Sequence, residues 1–151
     1  MARFRFSLQN ILELKMKMET QAKQEFSAAA AALAAEEEKL DVLRLKKHNL
    51  EQEAEALLYG ELNFRDIDDN QLARMQTDEA IMLQKEAIKR AEDVLEKARI
   101  KMAEAMMERK TYDKLREKAF DEFMAEEKRA ESKMVDELTS YTHGQKIKEN
   151  A

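Results

Sequence analysis

Proline, cysteine and tryptophan are missing from this sequence, and glycine occurs only twice. Each absence removes a class of protein. Without proline and with so little glycine there is almost no turn chemistry, which argues against an enzyme built from many short elements. Without cysteine there is no disulfide framework and no thiolate metal site, and this fits a reducing compartment. No apolar run approaches the roughly 18 residues that cross a bilayer. Charged or polar residues break Phe4 to Met18 repeatedly, so no secretory apolar core is expected there. A strong charge of one sign is also lacking: the net charge is −5. That is no footprint for nucleic acid. The expectation is a cytosolic protein, with membrane association peripheral and without insertion.

What the chain does contain is charge of both signs, 39% of its residues, interleaved with alanine and leucine. This is the profile of a coiled coil or long helix. Its only interruption is Tyr59-Gly60-Glu61-Leu62-Asn63-Phe64-Arg65-Asp66-Ile67-Asp68-Asp69-Asn70. Gly60 suits the position just past a helix end, where the backbone turns left-handed. Asp66, Asp68 and Asp69 are good N-caps and favour the positive end of a new helix. The reading is all-α, a long two-helix antiparallel coiled-coil hairpin with a C-terminal helical overhang. A single domain covers 1–151, with a helix over about 8–58, a turn at 59–68, a helix over about 69–142 and a frayed tail.

Both helices carry a seam. Arg3-Phe4-Arg5-Phe6 alternates like a strand but is too short for a sheet, and Ser7 is a plausible N-cap. Tolerable seam residues then recur at Leu8, Ile11, Lys15, Met18, Ala22, Phe26, Ala29, Leu33, Glu36, Leu40, Leu43, Lys47, Leu50, Ala54 and Leu57. The steps alternate between three and four, apart from a stutter at Ala22 to Phe26. Ala28 to Ala32 is a strong helix former and serves as filler or as a close-packed waist. The second pattern runs through Ile81, Ile88, Ala91, Leu95, Ala98, Met102 and Ala105, then Tyr112, Leu115, Ala119 and Phe123. It thins to Ala130, Met134, Leu138 and Tyr141, with Gly144 expected to end the helix.

Folding at the turn pairs residues whose numbers add to about 127, as an αα-hairpin requires. Phe4 and Phe6 then lie beside Phe120 and Phe123. Beyond them the second helix outruns the first by about five turns, and a lone polar helix of that length is marginal in water. Met124 and Met134 fall on this unsupported part, whereas most other methionines read as core filler that could instead serve adaptable binding surfaces. Val42, Leu45, Leu72, Met75 and Met82 are apolar residues near the turn, several of them off the seam, and read as a docking surface.

No catalytic constellation is present. His48 and His143 are far apart and lack a zinc-site spacing. Glu36-Glu37-Glu38 and Glu126-Glu127 read as solvated faces. There is no glycine-rich phosphate loop. No catalytic, metal or cofactor site is expected, and a narrow helix pair offers no cavity for one.

Two blocks of residues resemble a known family. Phe4-Arg5-Phe6-Ser7-Leu8-Gln9-Asn10-Ile11-Leu12-Glu13-Leu14-Lys15 is similar to the N-terminus of the flagellar export protein FliJ family. Glu108-Arg109-Lys110-Thr111-Tyr112-Asp113-Lys114-Leu115-Arg116-Glu117-Lys118, continuing through Ala119-Phe120-Asp121-Glu122-Phe123 and Lys133-Met134-Val135-Asp136-Glu137, resembles its C-terminal part. The resemblance implies a soluble component of the flagellar type III export apparatus, needed for motility and held at the cytoplasmic face of the membrane. It implies a stalk that binds and activates the export ATPase ring, contacts the export gate protein FlhA and escorts substrate chaperones. Applied to this chain, Phe4, Phe6, Arg116, Phe120, Phe123, Met124 and Met134 would face the ATPase. Val42, Leu45, Leu72, Met75 and Met82 would face the gate. The chain would be monomeric alone. The alternative is a structural or chaperone coiled coil with no part in flagellar export.

Overall fold

The computed structural model describes residues 2–150. The fold is all-α: helix α1 spans Gln9–Ala56, helix α2 spans Phe64–Glu149, and no strand occurs among the described residues. Two compact units are distinguished, Thr20–Glu104, which holds the turn, and Met1–Glu19 with Ala105–Ala151. They are called here the turn unit and the terminal unit.

In the turn unit the first helix tightens before it stops, with Leu58 N to Glu55 O and Tyr59 N to Ala56 O, both 3.2 Å. Gly60 follows with φ 77°. That is the left-handed backbone expected of it, at a position where other residues are strained. The start of α2 differs from expectation. Asn63, not an aspartate, is the cap: its Oδ1 accepts the amides of Arg65 at 3.1 Å and Asp66 at 3.3 Å. The helix therefore begins at Phe64, five residues early. Asn and Asp cap equally well, and the first competent cap after the glycine takes the role. Asp66 then lies inside the first turn. There its charge still favours the helix's positive end.

The two helices of this unit pair antiparallel. The Asn70 amide donates to the Leu50 carbonyl at 3.0 Å, and the Gln84 amide donates to Glu36 O at 2.8 Å. Fourteen residues up α2 thus correspond to fourteen down α1. Both pairs add to 120, while Lys47 with Asp78 gives 125 and Glu25 with Lys101 gives 126, so the pairing lies at or a few residues below the expected 127.

The seam is unbroken and partly polar. On α1 the buried and half-buried positions run Leu8, Leu12, Lys15, Glu19, Ala22, Phe26, Ala29, Leu33, Glu36, Leu40, Leu43, Lys47, Leu50, Ala54 and Leu57. The steps alternate four and three throughout, so there is no stutter. The expected Ile11 and Met18 are exposed, and Leu12 and Glu19 take their places. On α2 the positions are Ile67, Asn70, Arg74, Thr77, Ile81, Gln84, Ile88, Ala91, Leu95, Ala98, Met102, Ala105, Arg109, Tyr112, Ala119 and Phe123. Leu115 is exposed, and the seam level beside it belongs to Arg116. Among the described residues the buried apolar side chains are Leu12, Ala22, Ala29 and Leu40, and buried Glu19, Asn70 and Thr77 share the interior with them. Of the alanine run only Ala29 is buried; Ala28, Ala31 and Ala32 are exposed filler.

In the terminal unit α2 continues past Phe123, and every described residue from Lys128 to Asn150 is exposed. Gly144 does not end the helix, which runs to Glu149 without a second positive-φ glycine. One helical glycine costs only about 1 kcal/mol against alanine, and basic residues in a last turn favour its negative end. Lys146 and Lys148 occupy that turn. The fraying expected over Gln145 to Ala151 is thus replaced by helix as far as Glu149, and Ala151 lies outside the described residues.

Candidate partner-binding surfaces

No group of three metal-ligating side chains occurs among the described residues, and His48 and His143 are both exposed. No described helix is long and apolar enough to cross a membrane. What the structure offers is a set of surfaces held in place by the seam.

The terminal unit is organised by three cross-helix contacts. Arg109 Nε donates to Glu19 Oε2 at 2.5 Å, while its Nη1 donates to Asp113 Oδ2 at 2.6 Å one turn on. Glu19 is only 6% exposed. A buried carboxylate needs such a fork, because an unpaired one is costly. The two carboxylates, Glu19 first, raise the Arg109 pKa further above its ordinary range. Lys15 Nζ meets Glu108 Oε2 at 2.9 Å, and that bond raises the lysine's pKa. Arg116 Nε donates to Gln9 Oε1 at 3.1 Å.

These contacts bring α1's leading segment onto α2. The Phe4 ring meets Phe120 edge-on at 5.2 Å and 81°, and Phe123 at 5.5 Å and 52°. Arg116 Cζ lies 5.6 Å from the Phe4 centroid. Aromatic pairs of this kind are worth about 0.5–1.5 kcal/mol beyond their buried area. Phe6, two residues along the segment, is half-buried, and its carbonyl accepts the Gln9 amide at 3.1 Å. Met124 and Met134 are exposed on the helix beyond. So Phe4, Arg116, Phe120 and Phe123 are gathered into one cluster, and Met124 is one residue past it.

In the turn unit Val42, Leu45, Leu72, Met75 and Met82 are all exposed. Leu45 and Leu72 do not share one face. Leu45 stands two residues past seam Leu43, and Leu72 two past seam Asn70. Two residues turn a helix by ~200°, so each projects from the outer edge of its own helix, away from the other. The denser patch lies in the turn itself, where Leu58, Tyr59, Leu62 and Phe64 are each at least half exposed within seven residues. On sequence, Leu58 falls at the end of the first helix and Tyr59, Leu62 and Phe64 fall in the turn, with no binding role for any of them. The signal is present, since four large apolar side chains within seven residues at the turn have no seam to join.

The methionines also depart from expectation. Met102 and Met106 are half-buried, but Met16, Met18, Met75, Met82 and Met107 are exposed along with Met124 and Met134. They flank the seam rather than fill it, because polar side chains occupy several seam positions.

Lesser pairs, within α1 and across to α2, complete the turn unit. Gln84 and Lys39 bond Glu36 and hold its carboxyl below the usual range, Gln84 contributing most. Lys101 does the same for Glu25 at 2.8 Å. Lys47 meets Asp78 at 2.9 Å.

The family model described as Flagellar FliJ protein matches residues 4–148. Neither curated proteins nor solved structures gave a match. The matched span takes in the aromatic cluster, the polar seam, the turn and nearly all of the exposed run of α2. This chain belongs to the flagellar FliJ family.

Proposed function

We propose that this component of the flagellar export apparatus acts by binding, and that its exposed helix beyond Phe123 engages the export ATPase ring and favours the assembled, active form. Arg116, Phe120, Phe123, Met124 and Met134 supply that surface, and Phe4 and Phe6 bring the leading segment against its inner end. The observation that carries the reading is the run from Lys128 to Asn150, a helix of about six turns, in which every residue is exposed. A mostly polar helix with no packed face gains little stability from its own side chains, and tertiary contact is the usual source of it. Its mixed charges favour many weak contacts over one tight pocket, since exposed ion pairs give ~0–1 kcal/mol each.

The turn unit carries the second contact in this reading, with the export gate protein FlhA. Val42, Leu45, Leu72, Met75 and Met82 are its outlying members, and Leu58, Tyr59, Leu62 and Phe64 give it a centre. Exposed apolar patches of this density on a narrow helix pair support a protein partner. The chain is monomeric alone, escorts substrate chaperones, and works in the cytoplasm at the membrane's inner face near the flagellar base.

The test is co-purification with the export ATPase, using the full chain and a chain lacking residues 124–151. The truncated protein should keep its helical circular dichroism, scaled to its length, and lose stimulation of ATP hydrolysis. Full stimulation by the truncated chain would overturn the assignment.

A further inference from the structure

The segment ahead of α1 is held differently from everything after it. Ala2 to Phe6 form no regular element, and the main-chain bond described for them is the one Phe6 accepts from Gln9. The segment stays on α2 through the Phe4 ring, set against Phe120 and Phe123 and beneath Arg116. These are side-chain contacts on a half-exposed ring, and no ladder of backbone bonds must break for the ring to leave.

Phe120 belongs to more than this cluster. Counting outward, Phe120, Met124, Glu127, Glu131, Met134, Leu138 and Tyr141 follow in alternating steps of four and three. Such spacing lines one face of a helix. It is not the seam, whose last half-buried aromatic is Phe123. All members of the face are exposed except Glu127, which is half-exposed. Phe120 itself is still 42% exposed beneath Phe4. The apolar face that runs out along the unaccompanied helix therefore has its inner end under the Phe4 ring.

We infer that residues 2–6 are a strap, with Phe4 occupying the inner end of this face in the free chain and giving way when a partner helix seats along it from Tyr141 to Phe120. The inference rests on the reading that the helix beyond Phe123 binds the export ATPase. The occupant is an amphipathic helix of an ATPase subunit, with apolar residues at the same spacing and a basic residue level with Glu127 and Glu131, whose carboxylates interrupt the face. A helix laid along the whole face cannot pack on Phe120 while Phe4 covers it. The strap thus competes with the partner's last contact. A strap closed nine times in ten lowers the apparent affinity by at most about tenfold, the limit in which the closed form does not bind, and its removal restores it.

The test uses the native lack of cysteine, so that spin labels at introduced Ala2→Cys and Asp121→Cys are the only ones in the chain. The free protein should give a short distance that lengthens when the export ATPase subunit is added. Phe4→Ala should lengthen it without any partner and tighten ATPase binding about three- to tenfold. If Phe4→Ala loses helix, Phe4→Leu, which keeps an apolar side chain but no ring stacking, carries the same test with a smaller gain. A distance that stays short in the complex overturns the strap. So does weaker ATPase binding by a well-folded Phe4→Ala, which would make Phe4 part of the contact and leave the ATPase reading standing. Unchanged ATPase binding by Met134→Glu with Leu138→Glu would sink the ATPase reading, and the strap with it.

Discussion

Arg109 reaches the buried carboxylate of Glu19 at 2.5 Å and, with another nitrogen of the same guanidinium, holds Asp113 at 2.6 Å. One residue therefore serves both helices of the terminal unit. Its position at a seam level is the pattern by which polar seam residues choose register at some cost in stability.

Replacing only one member should be worse than replacing both. Arg109→Leu leaves Glu19 buried without a partner and should lower the melting temperature by several degrees. Glu19→Leu with Arg109→Leu should melt at or above the parent temperature, because apolar pairs often replace buried ion pairs without loss. Spin labels at Lys17 and Lys110 should show one sharp distance in the parent and a broader distribution in the double variant. Melting by circular dichroism and the label distances check the two halves separately.

The turn gives two backbone tests. Asn63→Ala removes the acceptor of two amides and should cost about 1 kcal/mol, while Asn63→Asp should be nearly neutral. Gly60→Ala meets no atom within 4 Å of the new methyl. Its cost is therefore the positive φ alone, about 1–2 kcal/mol. Denaturant titration reads both.

Acid should weaken the turn unit in a defined window. The carboxyls of Glu36, held mainly by Gln84, and Glu25, held mainly by Lys101, titrate below the ordinary 4.5. A depressed carboxylate contributes stability that is present above its unfolded value and lost as pH falls through the folded one. Melting temperature should thus be level near neutrality and fall as pH drops below about 4.5. Glu36→Gln should flatten part of that slope. At the alkaline end Lys15, held by Glu108, and Lys47, held by Asp78, titrate above the ordinary 10.5. Their contribution persists below that value and is lost only at higher pH.

The two proposed binding surfaces should separate. Leu45→Glu with Met75→Glu, or Tyr59→Ser with Phe64→Ser, changes residues that are exposed. Each pair should leave helicity and ATPase binding intact. Gate binding should weaken at least about fivefold, the scale at which an interface residue counts as important. Equal loss of both activities would point to unfolding.

Much of the fold was legible in the sequence. Gly60 as a stop, two helices and the meeting of Phe4 with Phe120 and Phe123 all follow from spacing. Most of the misread positions share one cause. A search for apolar residues every three or four places passes over Glu19, Asn70, Thr77, Gln84, Arg109 and Arg116, so it selects Met18 and Leu115 instead and inserts a stutter, whereas Ile11 and Leu12 are adjacent apolar residues between which spacing alone does not choose. Each polar seam residue is satisfied by a partner that only the fold supplies, such as Leu50 O for Asn70. Thr77 and Arg74 are exceptions, since the Thr77 hydroxyl bonds Ala73 O and Arg74 Nε bonds Asn70 Oδ1, both within α2 at 2.8 Å. The exposed turn residues were legible as apolar but not as a surface, because exposure depends on how closely the two helices follow each other into the loop.

The shallow interior bears on heat capacity. Globular domains unfold with a heat-capacity increase of about 12–15 cal/mol/K per residue, most of it from newly wetted apolar surface. A seam whose buried apolar members are Leu12, Ala22, Ala29 and Leu40, two of them alanines, wets far less when it opens. Its stability curve should be correspondingly broad and flat. Cooling would then take little from this protein, and its tolerance of low temperature would come from the thinness of its core.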